Sequence, residues 1–285
     1  MLNIGFIGQG FVGGTLQWAF EEKVNTHTYD IIPEKSTTSS ISELVQQCET
    51  IFVCLPTPMK KDGSVYLQII EDVLAEIDSA CTNQGTTRLV ITKSTVPPGS
   101  NKKWASLYRN INLVFNPEFL TEARARQDFM AQRHIILGAA SEEDFRTARE
   151  IFHIIFENRV DYHWVSFSEA ELTKYFRNCF LAMKVSFCNE IKQVCDAGGL
   201  SYEKVSLLAH LDPCRLGESH HQVPGPDGDA GFGGHCFPKD LNALINFAKQ
   251  NGVSPTMLTA TWDKNQEVRT TNDWENMKGR AVVDE

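Results

Sequence analysis

No stretch of this 285-residue sequence approaches the roughly 18 apolar residues of a membrane-spanning helix. Positive charge is scarce: 27 Lys and Arg against 36 Asp and Glu leave a formal charge of −9. That argues against a nucleic-acid surface and leaves room for a local basic pocket that receives a phosphate. The eight cysteines include no Cys-x-x-Cys pair and no regular framework, and no signal peptide opens the chain. Reduced thiols in a cytoplasm are therefore expected. Cys214, His220, His221, His235 and Cys236 lie close together, but no zinc spacing fits and adjacent histidines rarely ligate together, so no metal is expected. The length accommodates one large or two modest domains, and the 42% hydrophobic content is ordinary for a soluble globular protein.

The first informative pattern is an apolar run, Leu2 to Ile7, followed at once by Gly8-Gln9-Gly10-Phe11-Val12-Gly13 and a helical pattern (Phe11, Leu16, Phe20). Strand, glycine turn and helix in this order suit a dinucleotide. The first glycine makes the tight turn, the second lets a pyrophosphate approach the backbone, and the third packs helix on strand. A second strand, Asn25 to Tyr29, ends in Asp30, whose carboxylate can bond both ribose hydroxyls and repel a 2′-phosphate; NAD is favoured over NADP. After the polar loop 36–40 the linker to the next strand is short, so a helix there is expected to be lost or reduced to Ile41–Gln47.

Strands are expected at Thr50–Cys54, Arg88–Thr92, Ile111–Phe115, His134–Leu137 and Tyr162–Val165, with helices at Val65–Ala80 and Glu142–Phe156. The alternation predicts a doubly wound, mostly parallel α/β sheet of Rossmann type over residues 1–167. Thr57 and Thr95 fall at carboxyl ends of strands, the edge where ligands bind, although turn chemistry alone also favours threonine there. Glu118 and Glu122 share a helix face if Pro117 opens a helix, where they would also favour its positive end.

Residues 168–285 read as a separate, all-helical domain. Ser168-Glu169-Ala170-Glu171 has the form of a capping box. The helix it opens runs to about Ala197, on the order of 42 Å long, and suggests a spine between domains or a dimer seam. Lys174 and Asn178, four apart on it, share one face, as surface residues or as a functional pair. A shorter helix follows, Ser201–His210, and then a long loop over 211–230. In Gly231-Phe232-Gly233-Gly234-His235-Cys236-Phe237-Pro238-Lys239-Asp240, glycines precede a cysteine and Pro238 opens a helix reaching Lys249. Cys236 should therefore sit at a helix N-terminus, where the helix dipole and Lys239 favour thiolate. The alternative is a half-buried structural thiol.

GFGGHCFPKD resembles the active-site cysteine motif of the UDP-glucose/GDP-mannose dehydrogenase family. So, in their places, do PTP at residues 56–58, KSTVPPG at 93–99, NPEFL at 116–120 with an acid four residues on, and ELTKYFRNCFLAMKVSFCNE at 171–190. The resemblance covers nearly the whole chain. It implies NAD held by the glycine turn, Asp30, Lys35, Thr57, Thr95, Glu122 and Lys239. It implies a nucleotide-sugar substrate, UDP-glucose above all, met by Glu118, Phe119, Leu120, Lys174, Asn178 and Gly233, and by Arg215 reaching into a homodimer partner's site. It further implies oxidation of a C6 alcohol to a carboxylate, with Cys236 as nucleophile and Lys174 and Asn178 holding the oxyanion. Asp240, Glu118 and Thr95 would serve water and protons. Typical members carry a further domain that closes over the nucleotide; this chain ends before it, so either a piece of a longer protein or a compact form is expected. A two-electron β-hydroxyacid dehydrogenase and an NAD-binding regulator without turnover are the rival readings.

Overall fold

The computed structural model describes residues 1–217 and 219–284, without the side chains of residues 213 and 214. The Cys214 thiol, weighed above as a metal ligand, thus lies outside the described residues.

Strand and helix alternate from the start. In chain order the elements are β1 (Asn3–Ile7), α1 (Phe11–Phe20), β2 (Asn25–Tyr29), α2 (Ile41–Gln47), β3 (Thr50–Val53), α3 (Gln68–Gln84), β4 (Arg88–Thr92), α4 (Ser100–Leu107), β5 (Ile111–Phe115), α5 (Ala125–Met130), β6 (His134–Ala139), α6 (Glu142–Phe156) and β7 (Asp161–Val165). The seven strands lie in the order β2-β1-β3-β4-β5-β6-β7, and every neighbouring pair is parallel except β5 and β6. The sheet is the one the alternation predicts. Its order reverses between β1 and β3, which places a ligand crevice at their carboxyl ends.

Period-two alternation explains how both faces are covered. Ile7, Ile51, Val53 and Val90 face one side and pack with Leu44 of α2 and Leu74 and Ile77 of α3. Phe6, Phe52 and Ile91 face the other and pack with Leu16 and Phe20 of α1 and Phe152 and Phe156 of α6. Helix α2 has the bounds expected of it; Ser40 caps it by accepting the Glu43 N–H.

The chain falls into two compact units, residues 1–57 with 67–174, and residues 58–66 with 175–285. The seam lies inside α7 (Phe167–Ala197), a helix of 31 residues. Its cap corrects the sequence reading. The capping pair is Ser166 and Glu169: the Ser166 hydroxyl accepts the Glu169 N–H, and the Glu169 carboxylate accepts the Ser166 N–H at 2.8 Å. Glu171 is instead fully buried, because it closes the start of α4, accepting N–H groups from Gly99 at 2.5 Å and Asn101 at 2.8 Å.

The second unit contains the rest of α7 with α8 (Tyr202–Ala209), α9 (Pro213–Leu216), α10 (Phe237–Gln250) and α11 (Thr256–Val268). Its core joins Cys179, Ala182 and Val185 of α7 to Phe232, Leu241 and Ile245. Residues 58–66 belong here: the Met59 N–H donates to the Ala281 carbonyl at 2.7 Å, and the Val283 N–H to the Met59 carbonyl at 2.9 Å. This accounts for α3 starting at Gln68 rather than Val65, which is engaged in a bridge with Met59. No described helix is long and apolar enough to cross a membrane.

Candidate active site

In the first unit the glycine turn connects β1 to α1. Gly8 has φ +87°, and a Cβ there would strike the Cys54 carbonyl oxygen. A Cβ at Gly13 would strike the Gly8 carbonyl, so the third glycine does seat helix on strand. A Cβ at Gly10 would meet nothing within 4 Å. Gly10 is also the N-cap of α1 and offers no side-chain cap. Open space at a helix start, where N–H groups point outward, suits an anion such as a pyrophosphate. At the end of β2, Asp30 accepts the Gln9 N–H at 2.5 Å and the Ile32 N–H at 2.9 Å, and Lys35 donates to the Gln9 carbonyl at 3.2 Å. The predicted set Gly8, Gln9, Gly10, Phe11, Val12, Gly13, Asp30 and Lys35 is thus brought together, and its chemistry fits NAD.

Two loops at the same sheet edge are stitched to each other. Thr57 donates its hydroxyl to the Thr95 carbonyl at 2.7 Å, and Ser94 bonds both the N–H and the carbonyl of Leu55. A third loop follows β5. No helix opens at Pro117, which corrects that expectation: residues 116–121 have no helical turn, and the first is a short 3₁₀ segment, Glu122–Arg124. The two acids therefore part, Glu118 buried and Glu122 exposed. Lys174 donates to the Glu118 carboxylate at 2.9 Å and to its main-chain carbonyl at 2.7 Å, and stands 5.5 Å from the Phe119 ring centre. The Leu120 N–H binds the other Glu118 oxygen at 2.7 Å. Burial favours the neutral acid, but Lys174, the Leu120 N–H and Lys93 together hold Glu118 below the usual carboxylate range.

Several supporting residues escaped the sequence reading. Lys93, directly after β4, is buried and donates to the Asn116 side chain. Burial pushes its ammonium down to about 8 and pushes the Cys54 thiol up to about 12. Burial also raises Glu171 to about 7, against the three N–H bonds that favour its anion. A lysine and a glutamate in polar stretches carry no signal of burial in one sequence.

In the second unit, Cys236 is the N-cap residue of α10, partly buried, and Pro238 is in the first turn. The helix start predicted for the cysteine is present. The Asp240 N–H donates to the Cys236 carbonyl at 2.8 Å. The Asp240 carboxylate takes one bond from Lys239 and one from Asn178, both 2.6 Å. Both Lys239 and Asp240 are buried, so the lysine is directed to its neighbour. Arg215 is 82% exposed in its side chain and lies 3.4 Å from the Asp212 carboxylate. A Cβ at Gly233 would collide with Arg269 and Asp273. Among the described residues no group of three or more His, Cys, Asp or Glu is arranged to hold a metal.

A doubly wound sheet with a glycine turn and an acidic β2 terminus defines an NAD-binding domain of the Rossmann class, here continued by a helical unit. Comparison with known proteins narrows the class. Residues 21–156 match the NAD binding domain of the UDP-glucose/GDP-mannose dehydrogenase family, and residues 168–267 its central domain. The chain belongs to that family. The Bacillus subtilis protein YtcA, provisionally named a UDP-glucose 6-dehydrogenase, is 35% identical over 230 residues, 78% of this chain and 51% of that one. A UDP-glucose 6-dehydrogenase of Rickettsia bellii is 30% identical over 99% of this chain and 72% of its own length. A UDP-glucose dehydrogenase structure from Pyrobaculum islandicum superposes with a TM-score of 0.82, at 26% identity, over 94% of this chain and 68% of that one. The chain thus spans between about half and three quarters of these relatives. The cysteine loop lies within the matched central domain, whereas the glycine turn precedes the matched NAD-binding span.

Proposed function

We propose that this chain supplies the NAD-binding and central domains, residues 1–167 and 168–285, of a cytoplasmic dehydrogenase that oxidises the C6 alcohol of a nucleotide sugar to the uronic acid. UDP-glucose is the substrate this reading favours, because relatives carry that name. The observation that carries the reading is Cys236 at the N-cap of α10, ahead of a buried lysine and aspartate. Helix N-termini lower thiol pKa values and expose the sulfur to an electrophile. A two-electron alcohol dehydrogenase has no use for such a nucleophile.

NAD, when bound, is the acceptor of both electron pairs, two molecules for each sugar. The residues of the chain do the rest. Gly10 and the α1 N-terminus receive the pyrophosphate, Asp30 and Lys35 the ribose and phosphates, and Thr57, Thr95, Glu122 and Lys239 border the nicotinamide half. Glu118, Phe119, Leu120, Gly233 and the partner's Arg215 contact the sugar nucleotide. Cys236 as thiolate adds to the C6 aldehyde: a C–S bond forms and the carbonyl π pair moves to oxygen, where Lys174 and Asn178 hold it. One oxyanion donor of this kind is worth about 3 kcal/mol. Oxidation of the thiohemiacetal leaves a thioester. Water then adds, the C–S bond breaks, and the acid leaves with the thiolate regenerated; Asp240, Glu118 and Thr95 orient that water and take its proton. The exposed side chains Phe176, Phe180, Phe187 and Val194 on α7 are offered as the seam of a homodimer.

The test is stoichiometry. Each sugar oxidised should yield two NADH, and Cys236→Ser should stall after the first oxidation or release aldehyde. One NADH per sugar, or full acid production by Cys236→Ser, would sink the reading.

A further inference from the structure

The glycine–cysteine loop is held from behind by a single guanidinium. The Arg269 side chain is 2% exposed and lies among three carboxylates: Nη2 is 2.7 Å from Asp227 and 2.9 Å from Asp273, and Nε is 4.0 Å from Asp229. Its remaining donors reach main-chain carbonyls, Nε to Thr271 at 2.8 Å and Nη1 to Ala230 at 3.3 Å. The planar fork of an arginine satisfies such a set; a lysine ammonium does not.

The network ends on the backbone of the cysteine loop. The second Asp273 oxygen accepts the Gly234 N–H at 2.9 Å, two residues before Cys236. The neighbouring amides are pinned in the same way, Gly231 by Asn189 at 3.1 Å and Phe232 by Asn265 at 2.7 Å. Gly233 has no Cβ because Arg269 and Asp273 occupy the place where it would project. The glycine there answers to the ion pair behind the loop as well as to any ligand in front of it. Asp229 closes the far side by accepting the Thr270 hydroxyl at 2.9 Å and the Thr271 hydroxyl at 3.2 Å. The buried charge thus joins three segments, the loop 225–230, the end of α11 and the turn at Asp273, to the stretch that presents the thiol.

We propose that Arg269 is a positioning residue for Cys236, fixing the glycine loop so that the sulfur stays on the α10 N-terminus. The inference rests on the nucleophilic role given to Cys236 above. Loss of the fork frees the Gly234 amide and lets the loop relax. The sulfur then leaves the helix terminus and its thiolate is less favoured.

The test uses Arg269→Lys, Arg269→Met and Arg269→Ala in the full chain. Alkylation of Cys236 by iodoacetamide is followed at its own peptide by mass spectrometry across a pH series, with melting recorded in parallel. In folded Arg269→Lys, the Cys236 rate at neutral pH should fall about fivefold or more and its pH midpoint should move upward. kcat should fall about tenfold, with KM for NAD little changed. Millimolar guanidinium added to Arg269→Ala should restore the alkylation midpoint. If folded Arg269→Lys keeps the parent rate and midpoint, or guanidinium raises the melting temperature of Arg269→Ala without restoring the midpoint, the proposal is overturned. Should Arg269→Met fail to fold, Arg269→Lys still decides. Alkylation needs no turnover, so a parent that forms no NADH defeats the dehydrogenase reading and leaves this measurement intact.

Discussion

The Lys174 ammonium is bound twice by one residue, at 2.9 Å by the Glu118 carboxylate and at 2.7 Å by the Glu118 main-chain carbonyl, with both side chains buried. The lysine thus sets the backbone course of the loop after β5 as well as neutralising its acid. Removing one partner leaves the other charge buried without compensation. Lys174→Ala should therefore lose about 3 kcal/mol of stability and Lys174→Met a comparable amount. Urea melts measure this. Turnover should fall about a hundredfold or more if the ammonium also serves the oxyanion. A stable Lys174→Met would contradict the pairing.

Glu171 gives the first unit a pH dependence of definite sign. Its carboxyl is raised from 4.5 to about 7 in the folded chain, chiefly by burial. Below about 4.5 both states are protonated. Between there and about 7 the unfolded chain ionises while the folded chain keeps its proton, so this group's contribution to stability falls as pH rises, and above about 7 the loss is complete. Glu171→Gln removes that term. The melting temperature of the parent, compared with that of Glu171→Gln at pH values on either side of this window, should show the steeper fall with rising pH. Parallel profiles would refute the assignment.

Gly10 and Gly13 look alike in the sequence and differ in structure. A methyl at residue 13 collides with the Gly8 carbonyl, whereas one at residue 10 enters open space. Gly13→Ala should lose about 2 kcal/mol or more of stability. Gly10→Ala should melt within about 2 °C of the parent and bind NAD about tenfold more weakly or worse. Scanning calorimetry and titration calorimetry separate the two effects; a Gly10→Ala protein with parental affinity for NAD would show that this space is not used.

The sheet was legible because its signals are local. Strand, glycine turn and helix succeed one another at β1 and α1, and the shortened α2 was readable from Ile41, Leu44 and Val45, which repeat at helical spacing and are all buried. The capping pair of α7 was misassigned because Ser166-x-x-Glu169 and Ser168-x-x-Glu171 satisfy the same pattern. Only the burial of Glu171 against Asn101, 70 residues away in the chain, decides between them. Residues 58–66 were illegible as part of the second unit for the same reason: pairing of Met59 with Val282 leaves no trace in either neighbourhood. The Lys93–Asn116 pair and the Arg269 cluster likewise depend on long-range placement, which spacing does not report.

The bridge from Met59 to Val282 has a consequence for biogenesis. Translation delivers the first of these residues more than two hundred codons ahead of the second. Strands β1 to β3 precede Met59 and β4 to β7 lie between the two residues, so the Rossmann sheet can assemble while this ribbon waits. Ala281 to Val283 are therefore the late-made clasp of a segment laid down much earlier, and cutting them away would undo the pairing that holds residues 58–66.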